Sequence, residues 1–287
     1  MHTELISIET DTYPLDGLYY EPDGGATAGG VQILHGNCMN FYTGVSRFLP
    51  PALTKLGYAV LTYNRRGHDV IATLNSRQPV GGAFQMTHEA LADNRYAAEW
   101  LAAKGFADPI VIGHSNGGML SVPHVIAHPN TRALVLMSAH AGGPGLMPMA
   151  AKTGLFGAER HAEIVAQAKA LVAAGRGQEL ITMPGWWYVV TAATLADYAT
   201  TIPEILKLAP QVRCPTLYIR GDKEPAHIYP AEEFVKRSGG PCEAAIVPDC
   251  DHFYTGRFDA VSELIAGWLR KLPAVVPANG FGLRSAR

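Results

Sequence analysis

The sequence has little charge and no long apolar segment, and each lack excludes a class of partner. Charged residues make up 17% of the 287 residues, and 23 Lys and Arg against 25 Asp and Glu leave a net charge of −2. Such a chain offers no electrostatic attraction to nucleic acid or to an anionic membrane. No apolar run approaches the roughly 18–20 residues that a membrane-spanning helix requires. We therefore expect neither nucleic acid nor a membrane as a partner.

Cysteine is also scarce, and its spacing argues against a structural zinc site. The four cysteines are far apart and form no CxxC pair: they are Cys38, Cys214, Cys242 and Cys250. We expect reduced thiols in a cytoplasmic protein. His124 and His128 stand four residues apart on a predicted helix, but the glutamate of an HExxH motif is missing. The sequence thus predicts no metal site, and we expect no cofactor.

What the chain does contain is an alternation of short apolar runs and amphipathic stretches. From Val31 onward the runs are mostly continuous and aliphatic, which is typical of strands buried on both faces of a parallel sheet. The pattern predicts an α/β fold with a mostly parallel sheet of about eight strands, helices on both faces and an antiparallel first hairpin. The strand candidates are Leu5–Thr10, Gly17–Glu21, Val31–His35, Ala59–Asn64, Ile110–Gly113, Ala133–Ser138, Thr216–Arg220 and Ala244–Pro248. The helical candidates between them are Gly44–Leu56, Thr87–Lys104, Asn116–Ala127, Pro230–Ser238 and Asp259–Lys271.

One long segment interrupts this alternation. Between the sixth and seventh strand candidates, about seventy residues hold three helical stretches and no convincing strand, which is typical of a cap inserted over the strand ends. We predict a core of residues 1–140 and 211–272, a helical cap of residues 141–210 and a flexible tail of residues 273–287. The cap side chains of Met183, Trp186, Trp187 and Tyr188 form either an apolar roof over a substrate or the cap's own core. The sequence leaves both possibilities open.

Residues 110–118 carry the pattern G-x-S-x-G between a predicted strand and a predicted helix. Gly113 and Gly117 flank Ser115 at two positions on either side. This context is the one that a nucleophile elbow requires, where a sharp turn exposes a serine hydroxyl above the sheet. The flanking positions need glycine because a Cβ there would strike the neighbouring strand and helix. The pattern indicates that Ser115 is a nucleophile.

A serine nucleophile needs a general base, because its hydroxyl is barely ionised at neutral pH. His252 follows an apolar run and lies in a loop just before the last predicted helix, among Asp249, Asp251 and Phe253. It also follows both Ser115 and a candidate acid in the chain, which is the order that nucleophile-elbow hydrolases use. We therefore predict that His252 is the general base.

Three further segments complete a recognisable set. His35-Gly36-Asn37 follows a strand candidate, the stretch from Tyr58 to His68 reads as a strand and a turn, and the turn Gly221-Asp222-Lys223-Glu224 follows another strand. With the elbow and the histidine loop, these segments resemble the α/β-hydrolase superfamily over nearly the whole chain. Asn64 stands where aspartate is commoner in that superfamily. The resemblance implies the α/β-hydrolase fold and a serine hydrolase of the esterase or lipase kind.

The resemblance also implies the remaining site residues. The oxyanion hole is expected from the backbone N–H groups of Asn37 and Asn116, the latter directly after the nucleophile. Two carboxylates compete for the role of triad acid: familiarity favours Asp222, whereas the superfamily spacing G-x-x-D favours Glu224, and glutamate serves some hydrolases of this fold. His140, just past a strand end, is either a pocket residue or an ordinary loop histidine.

These residues predict an enzyme that hydrolyses a carboxylic ester or lactone through an acyl-enzyme. The expected substrate is a small to medium, mostly apolar molecule, because the cap offers no cluster of Arg or Lys for a strongly anionic one. The same triad would suit an amidase or peptidase, a carbon–carbon bond hydrolase or an acyltransferase. A ligand-binding receptor or pseudo-enzyme on the same scaffold is the alternative from another class. Nothing in the sequence indicates an oligomeric state.

Overall fold

A computed structural model describes residues 1–273 of the chain. Its centre is one sheet of eight strands, in the spatial order β1-β2-β4-β3-β5-β6-β7-β8. Strands β3 to β8 run parallel, while β2 is antiparallel to both β1 and β4. The predicted mostly parallel sheet and antiparallel first hairpin are therefore confirmed. The strands are β1 His2–Ile8, β2 Leu15–Glu21, β3 Gly29–Leu34, β4 Tyr58–Tyr63, β5 Ile110–His114, β6 Ala133–Met137, β7 Thr216–Gly221 and β8 Cys242–Val247.

Helices cover both faces of the sheet and bury its alternate side chains in two apolar cores. Helices α3, α4 and α9 pack on one face, and α1, α2 and α10 pack on the other. Along β5, Val111 points to the first core, while Ile110 and Ile112 point to the second. Burial on both faces explains why these strands read as continuous apolar runs. The helices are α1 Val45–Phe48, α2 Pro50–Lys55, α3 Thr87–Ala103, α4 Asn116–Ala127, α5 Leu146–Ala151, α6 His161–Ala173, α7 Ala192–Thr201, α8 Ile205–Leu208, α9 Ala231–Arg237 and α10 Phe258–Leu269.

The first helical candidate, 44–56, is not one helix but two. Helix α1 ends at Phe48 and α2 starts at Pro50. Pro50 and Pro51 have no backbone N–H and cannot continue the hydrogen bonds of a preceding helix, although proline is well suited to a first helical turn. The proline pair therefore ends one helix and starts the next.

The segment between β6 and β7 holds α5 to α8, as the prediction of a helical insertion requires, but it also contains a hairpin. Leu180–Met183 pairs antiparallel with Tyr188–Thr191. The prediction that this segment contains no strand was wrong. Residues 184–187 form the connecting turn, which starts with Pro184 and has Gly185 at a positive φ of 86°. The boundaries 141–210 remain our proposal for the cap.

Two other observations concern the limits of the described chain. Within residues 1–273, none of the helices combines the length and the apolar character that crossing a bilayer requires. Apart from Pro273, the tail predicted for residues 273–287 lies outside the described residues.

Candidate active site

Ser115 occupies a sharp turn between β5 and α4. Its backbone has φ 55° and ψ −118°, a strained conformation for a residue with a Cβ. A Cβ at Gly113 would collide with the side chain of Ser121, and a Cβ at Gly117 would collide with the carbonyl oxygen of Leu34. Both glycines are therefore required by the close approach of strand and helix. The turn has the geometry of a nucleophile elbow.

Ser115, His252 and Glu224 form a continuous hydrogen-bonded chain. His252 Nε2 lies 3.0 Å from Ser115 Oγ, and His252 Nδ1 lies 2.6 Å from Glu224 Oε1. With Nδ1 donating to the carboxylate, Nε2 is left as the acceptor for the serine proton. The three residues come from three separate loops at the carboxyl ends of β5, β7 and β8.

The carboxylate of Glu224 is 5% exposed and held on its far oxygen as well. Glu224 Oε2 accepts hydrogen bonds from Ser138 Oγ at 2.6 Å and from the backbone N–H of Gly221 at 2.8 Å. Tyr254, which is fully buried, places its hydroxyl 2.8 Å from Ser138 Oγ. A carboxylate with both oxygens occupied cannot rotate away from His252, so this arrangement fixes the imidazole ring.

The other acidic residues nearby have different partners. Asp222 Oδ1 accepts a hydrogen bond from the backbone N–H of Cys250 at 3.1 Å, and such backbone bonds lower the pKa of Asp222. Asp251 Oδ1 accepts from the backbone N–H groups of Phe253 and Thr255 within its own loop. Asp249 forms ion pairs with Lys223 and Arg257. The structure brings Glu224, and not these residues, to His252.

His114 connects the elbow to the loop that carries His252. Its Nε2–H donates to the backbone carbonyl oxygen of His252 at 2.9 Å, and the two rings lie 4.9 Å apart. Burial, and then the charge that His252 can carry, lower the pKa of His114 to about 3. His114 is therefore neutral at physiological pH and adds no cation beside His252.

The loop His35-Gly36-Asn37 lies next to the elbow, and His35 holds it in place. His35 Nε2 accepts from the backbone N–H of Arg65 at 3.0 Å, and its Nδ1–H donates to the carbonyl oxygen of Gly36 at 2.7 Å. Complete burial, and then the charge of Arg65, keep the pKa of His35 well below its ordinary value. Both ring nitrogens are thus used structurally, and His35 holds the loop in place.

The side chain of Asn37 joins this loop to the cap. With its amide oriented to satisfy the surrounding groups, Asn37 Oδ1 accepts from Trp186 Nε1 at 2.8 Å and from Trp187 Nε1 at 2.9 Å. On the opposite side, Asn116 is the first residue of α4, where backbone N–H groups have no carbonyl partner within the helix. The two residues predicted for the oxyanion hole therefore flank the elbow.

The cap residues Met183, Trp187 and Tyr188 lie in different surroundings. Trp187 is 1% exposed and lines a cavity of about 20 Å³ beside Asn37 and Asn116. Met183 is fully buried in the cap's own core, and Tyr188 is 71% exposed. Neither lines this cavity, so of the two possibilities left open by the sequence, Met183 fits the cap's own core and Tyr188 fits neither. The cavity is lined by Asn37, Gly82, Gln85, Met86, Thr87, Ala90, Asn116, Met119, Leu120, Trp187, Thr194, Tyr198 and Ile202.

His140 is buried and belongs to a hydrogen-bonded group that reaches the elbow. Tyr198 OH lies 3.3 Å from His140 Nε2, and Asn116 Nδ2 lies 3.5 Å from the same hydroxyl. Burial, followed by the charge of His252, lowers the pKa of His140 to about 3. His140 does not line the cavity described above.

The pair His124 and His128 lies away from these residues, on α4 and at its end. The two ring centroids lie 4.2 Å apart with the ring planes tilted by 31°, and His128 Nδ1–H donates to the backbone carbonyl oxygen of His124 at 2.8 Å. Among residues 1–273, no three His, Cys, Asp or Glu side chains come together as the ligands of a metal ion would.

Sequence reasoning missed three residues that contact the site: Ser138, Tyr198 and Arg65. Ser138 ends a predicted strand, and Tyr198 lies on a predicted cap helix. Both positions were visible in the sequence, but their partners lie 86 and 82 residues away. Arg65 stood in the turn that resembles the superfamily motif, and only its neighbours in space show its role.

Comparison with known proteins agrees with this geometry. Residues 33–264 match the model of the alpha/beta hydrolase family. The chain belongs to the alpha/beta hydrolase family. The expected family and fold are thereby confirmed. No curated protein matches the sequence significantly.

Solved structures of similar fold cover nearly the whole chain at low sequence identity. Est1E from Butyrivibrio proteoclasticus, with ferulic acid bound, is 20% identical at a TM-score of 0.70, over 93% of this chain and 98% of its own. A thermostable carboxyl esterase from Bacillus coagulans is 16% identical at a TM-score of 0.70, over 95% and 99%. A soluble variant of monoglyceride lipase from Saccharomyces cerevisiae is 14% identical at 0.66, over 95% and 96%.

Proposed function

We propose that this member of the alpha/beta hydrolase family hydrolyses carboxylic esters or lactones through an acyl-enzyme. The observation that carries the proposal is the hydrogen-bonded chain from Glu224 through His252 to Ser115, with 2.6 Å and 3.0 Å separations. In this proposal Ser115 is the nucleophile, His252 is the general base and Glu224 is the triad acid.

The reaction follows from the roles of these atoms. His252 Nε2 takes the proton from Ser115 Oγ as the oxygen attacks the carbonyl carbon, and the carbonyl electron pair moves onto its oxygen. The backbone N–H groups of Asn37 and Asn116 hold that oxyanion. His252 then gives its proton to the leaving alcohol as the C–O bond breaks. A water molecule repeats the attack on the acyl-enzyme, with the same base, and releases the acid and free Ser115.

Ester chemistry is favoured by the neighbouring structures, and the cavity suggests the size of the acyl group. The three neighbours are described as an esterase with bound ferulic acid, a carboxyl esterase and a monoglyceride lipase. The cavity beside Asn37 and Asn116 has a volume of about 20 Å³, which leaves little room next to the proposed oxyanion hole. We propose a substrate with a short acyl group, most of it apolar.

A series of p-nitrophenyl esters of increasing acyl length, with the matching anilides, tests this function. The wild-type protein is expected to cleave short esters fastest and anilides far more slowly. Ser115→Ala should lower kcat by about 10⁴-fold or more, as loss of the nucleophile does in other triads. Ser262→Ala on α10, which contacts none of the proposed site residues in the hydrogen bonds described above, is the matched control and should keep full activity. Ester cleavage that survives Ser115→Ala would disprove the proposal.

A further inference from the structure

Arg65 is a buried cation whose hydrogen-bond partners are all neutral. The residue is only 1% exposed. Nη1 donates to Asn116 Oδ1 at 3.2 Å and Nη2 donates to the backbone carbonyl oxygen of His35, while Nε has no acceptor. Within residues 1–273, no carboxylate lies within ion-pair distance of its guanidinium.

The other two buried arginines are different. Arg66, the next residue, pairs with Asp93 at 2.7 Å, and Arg220 pairs with Glu232 at 2.8 Å. Burying a charged group without a counter-ion is costly, and proteins normally avoid it by pairing. A guanidinium also stays protonated in proteins, so Arg65 cannot escape that cost by losing its charge. The cost of burying Arg65 without a counter-ion indicates that its position has a function.

Arg65 contacts the two segments that lie on either side of the elbow. Its guanidinium joins Asn116 on one side of the elbow to the carbonyl of His35 on the other, and its backbone N–H donates to His35 Nε2 at 3.0 Å. These two partners belong to the two segments whose backbone N–H groups we assign to the oxyanion hole. A single side chain therefore holds both segments at once.

The charges of the proposed reaction fit this position. In the resting site the negative carboxylate of Glu224 faces His252 on one side of the elbow, and the positive charge of Arg65 lies on the other side. When Ser115 attacks, one proton moves to His252 and one negative charge appears on the carbonyl oxygen. The buried groups then carry two positive and two negative charges, so the site is neutral before and after the attack. Without Arg65 it would carry an excess negative charge in both states.

We propose that Arg65 is a positioning residue for the oxyanion, which orients both halves of the hole and offsets the charge of the intermediate. This inference rests on the proposed function. It predicts that Arg65 acts on the anionic intermediate far more than on the neutral substrate, because a fixed charge in a water-poor site interacts most strongly with another charge.

Arg65→Gln and Arg65→Lys test this inference against a merely structural role. Glutamine is a neutral hydrogen-bond donor, whereas lysine keeps the charge but loses the two-pronged contact. We expect Arg65→Gln to lower kcat by about 10²-fold or more, comparable to the loss of one oxyanion donor, with KM changed only a few-fold. Arg65→Lys should recover at least a tenth of wild-type kcat.

Affinity for an alkyl boronic acid is the second readout, because the adduct on Ser115 is a tetrahedral anion. It should fall in parallel with kcat, while affinity for a neutral substrate analogue such as the matching ketone stays near that of the wild type. Arg132→Met is the matched control, since Arg132 also donates to a backbone carbonyl but far from the elbow. Its kcat and its boronate affinity should not change.

The outcomes separate the two levels of the proposal. If the wild type neither cleaves esters nor binds the boronic acid, the proposed function fails. If it does both, and Arg65→Gln matches it in kcat and boronate affinity, only the inference about Arg65 fails. Equal losses in Arg65→Gln and Arg65→Lys would also overturn it, because charge would then play no part. Should Arg65→Gln not fold, a boronate affinity of Arg65→Lys more than tenfold below the wild type would overturn the inference.

Discussion

At the scale of single residues, the carboxylate of Glu224 is fixed by hydrogen bonds on both of its oxygens. Its two oxygens contact three different donors, from His252, Ser138 and the Gly221 backbone. A side chain bound at both oxygens keeps the imidazole in the tautomer that the proposed mechanism needs. Asp222, two residues earlier, uses its carboxylate to hold the backbone of the neighbouring loop.

Glu224→Gln and Asp222→Asn form an isosteric pair that tests this difference. We expect Glu224→Gln to lower kcat by about 10³- to 10⁴-fold on a good ester, because an amide cannot stabilise the imidazolium and favours the wrong tautomer. Asp222→Asn should change kcat only a few-fold. Steady-state turnover of one ester decides the matter. A large loss in Asp222→Asn together with a small loss in Glu224→Gln would reverse the assignment.

The sequence predicted the residues whose roles depend on local pattern. Ser115 was indicated by its flanking glycines, His252 by its loop, and Glu224 by its distance from Gly221. The sequence could not indicate Arg65 or Ser138, because their importance lies in contacts with segments more than thirty residues away. A hydrogen bond between distant segments leaves no periodicity in the chain.

At the scale of elements, the contact between the cap and the oxyanion loop is the feature that the prediction lacked. The sequence left open whether the aromatic residues of the cap form a roof over a substrate or the cap's own core. In the structure, the indole N–H groups of Trp186 and Trp187 converge on Asn37 instead. The cap therefore orients a residue of the proposed oxyanion hole, besides lining the cavity with Trp187.

Trp186→Phe and Trp187→Phe remove these N–H groups while keeping an aromatic ring. Each change should lower kcat about tenfold, since one hydrogen bond that orients Asn37 is lost. The double variant should lose more than either single variant. Trp100→Phe on α3, where the ring packs edge-on against Tyr19, is the matched control. Unchanged kcat in the double variant would show that the cap does not position Asn37.

The elements themselves were predictable wherever burial imposed a clear pattern. All eight strands of the sheet match candidates in the sequence. In β3 to β7 both faces are covered and the apolar runs are continuous, whereas the edge strands β1 and β8 are largely exposed. The short hairpin of the cap was missed, since strands of four residues barely show an alternation. The turn at Pro184-Gly185 was the signal that could have found it.

At the scale of the whole molecule, buried histidines make stability depend on pH. Burial lowers the pKa of His114, His124 and His140 to about 3. It also keeps the pKa of His35 well below its ordinary value. In the unfolded chain each should titrate near 6.5. Below that pH the unfolded chain binds protons that the folded chain does not, so stability falls as pH falls.

One buried acid acts in the opposite sense. Burial raises the pKa of Asp93 to about 6, so the folded state holds a proton there that the unfolded chain has released. On unfolding the chain therefore takes up about four protons on the histidines and releases about one from Asp93, a net uptake of about three. This corresponds to roughly 4 kcal/mol of unfolding free energy lost per pH unit below about 6.

Urea unfolding at several pH values between 7.5 and 4.5 measures this slope. We expect a sharp fall in the free energy of unfolding below pH 6.5, and a protein that is mostly unfolded before pH 4. His124→Gln, far from the proposed site, should reduce the slope by about one proton, or roughly 1.4 kcal/mol per pH unit. A free energy of unfolding that stays constant from pH 7 to pH 5 would contradict the burial of these histidines as neutral groups.

Covalent labelling by a fluorophosphonate tests the central claim, that Ser115 is an activated nucleophile, most directly. Tryptic digestion leaves Ser115 and Ser121 in one peptide, Gly105–Arg132, so fragment masses must assign the modified residue. We expect one phosphonyl group per chain, on Ser115, and none on Ser115→Ala or on heat-unfolded protein. Labelling on Ser121 or any other residue, or equal labelling of Ser115→Ala, would contradict the assignment of the active site.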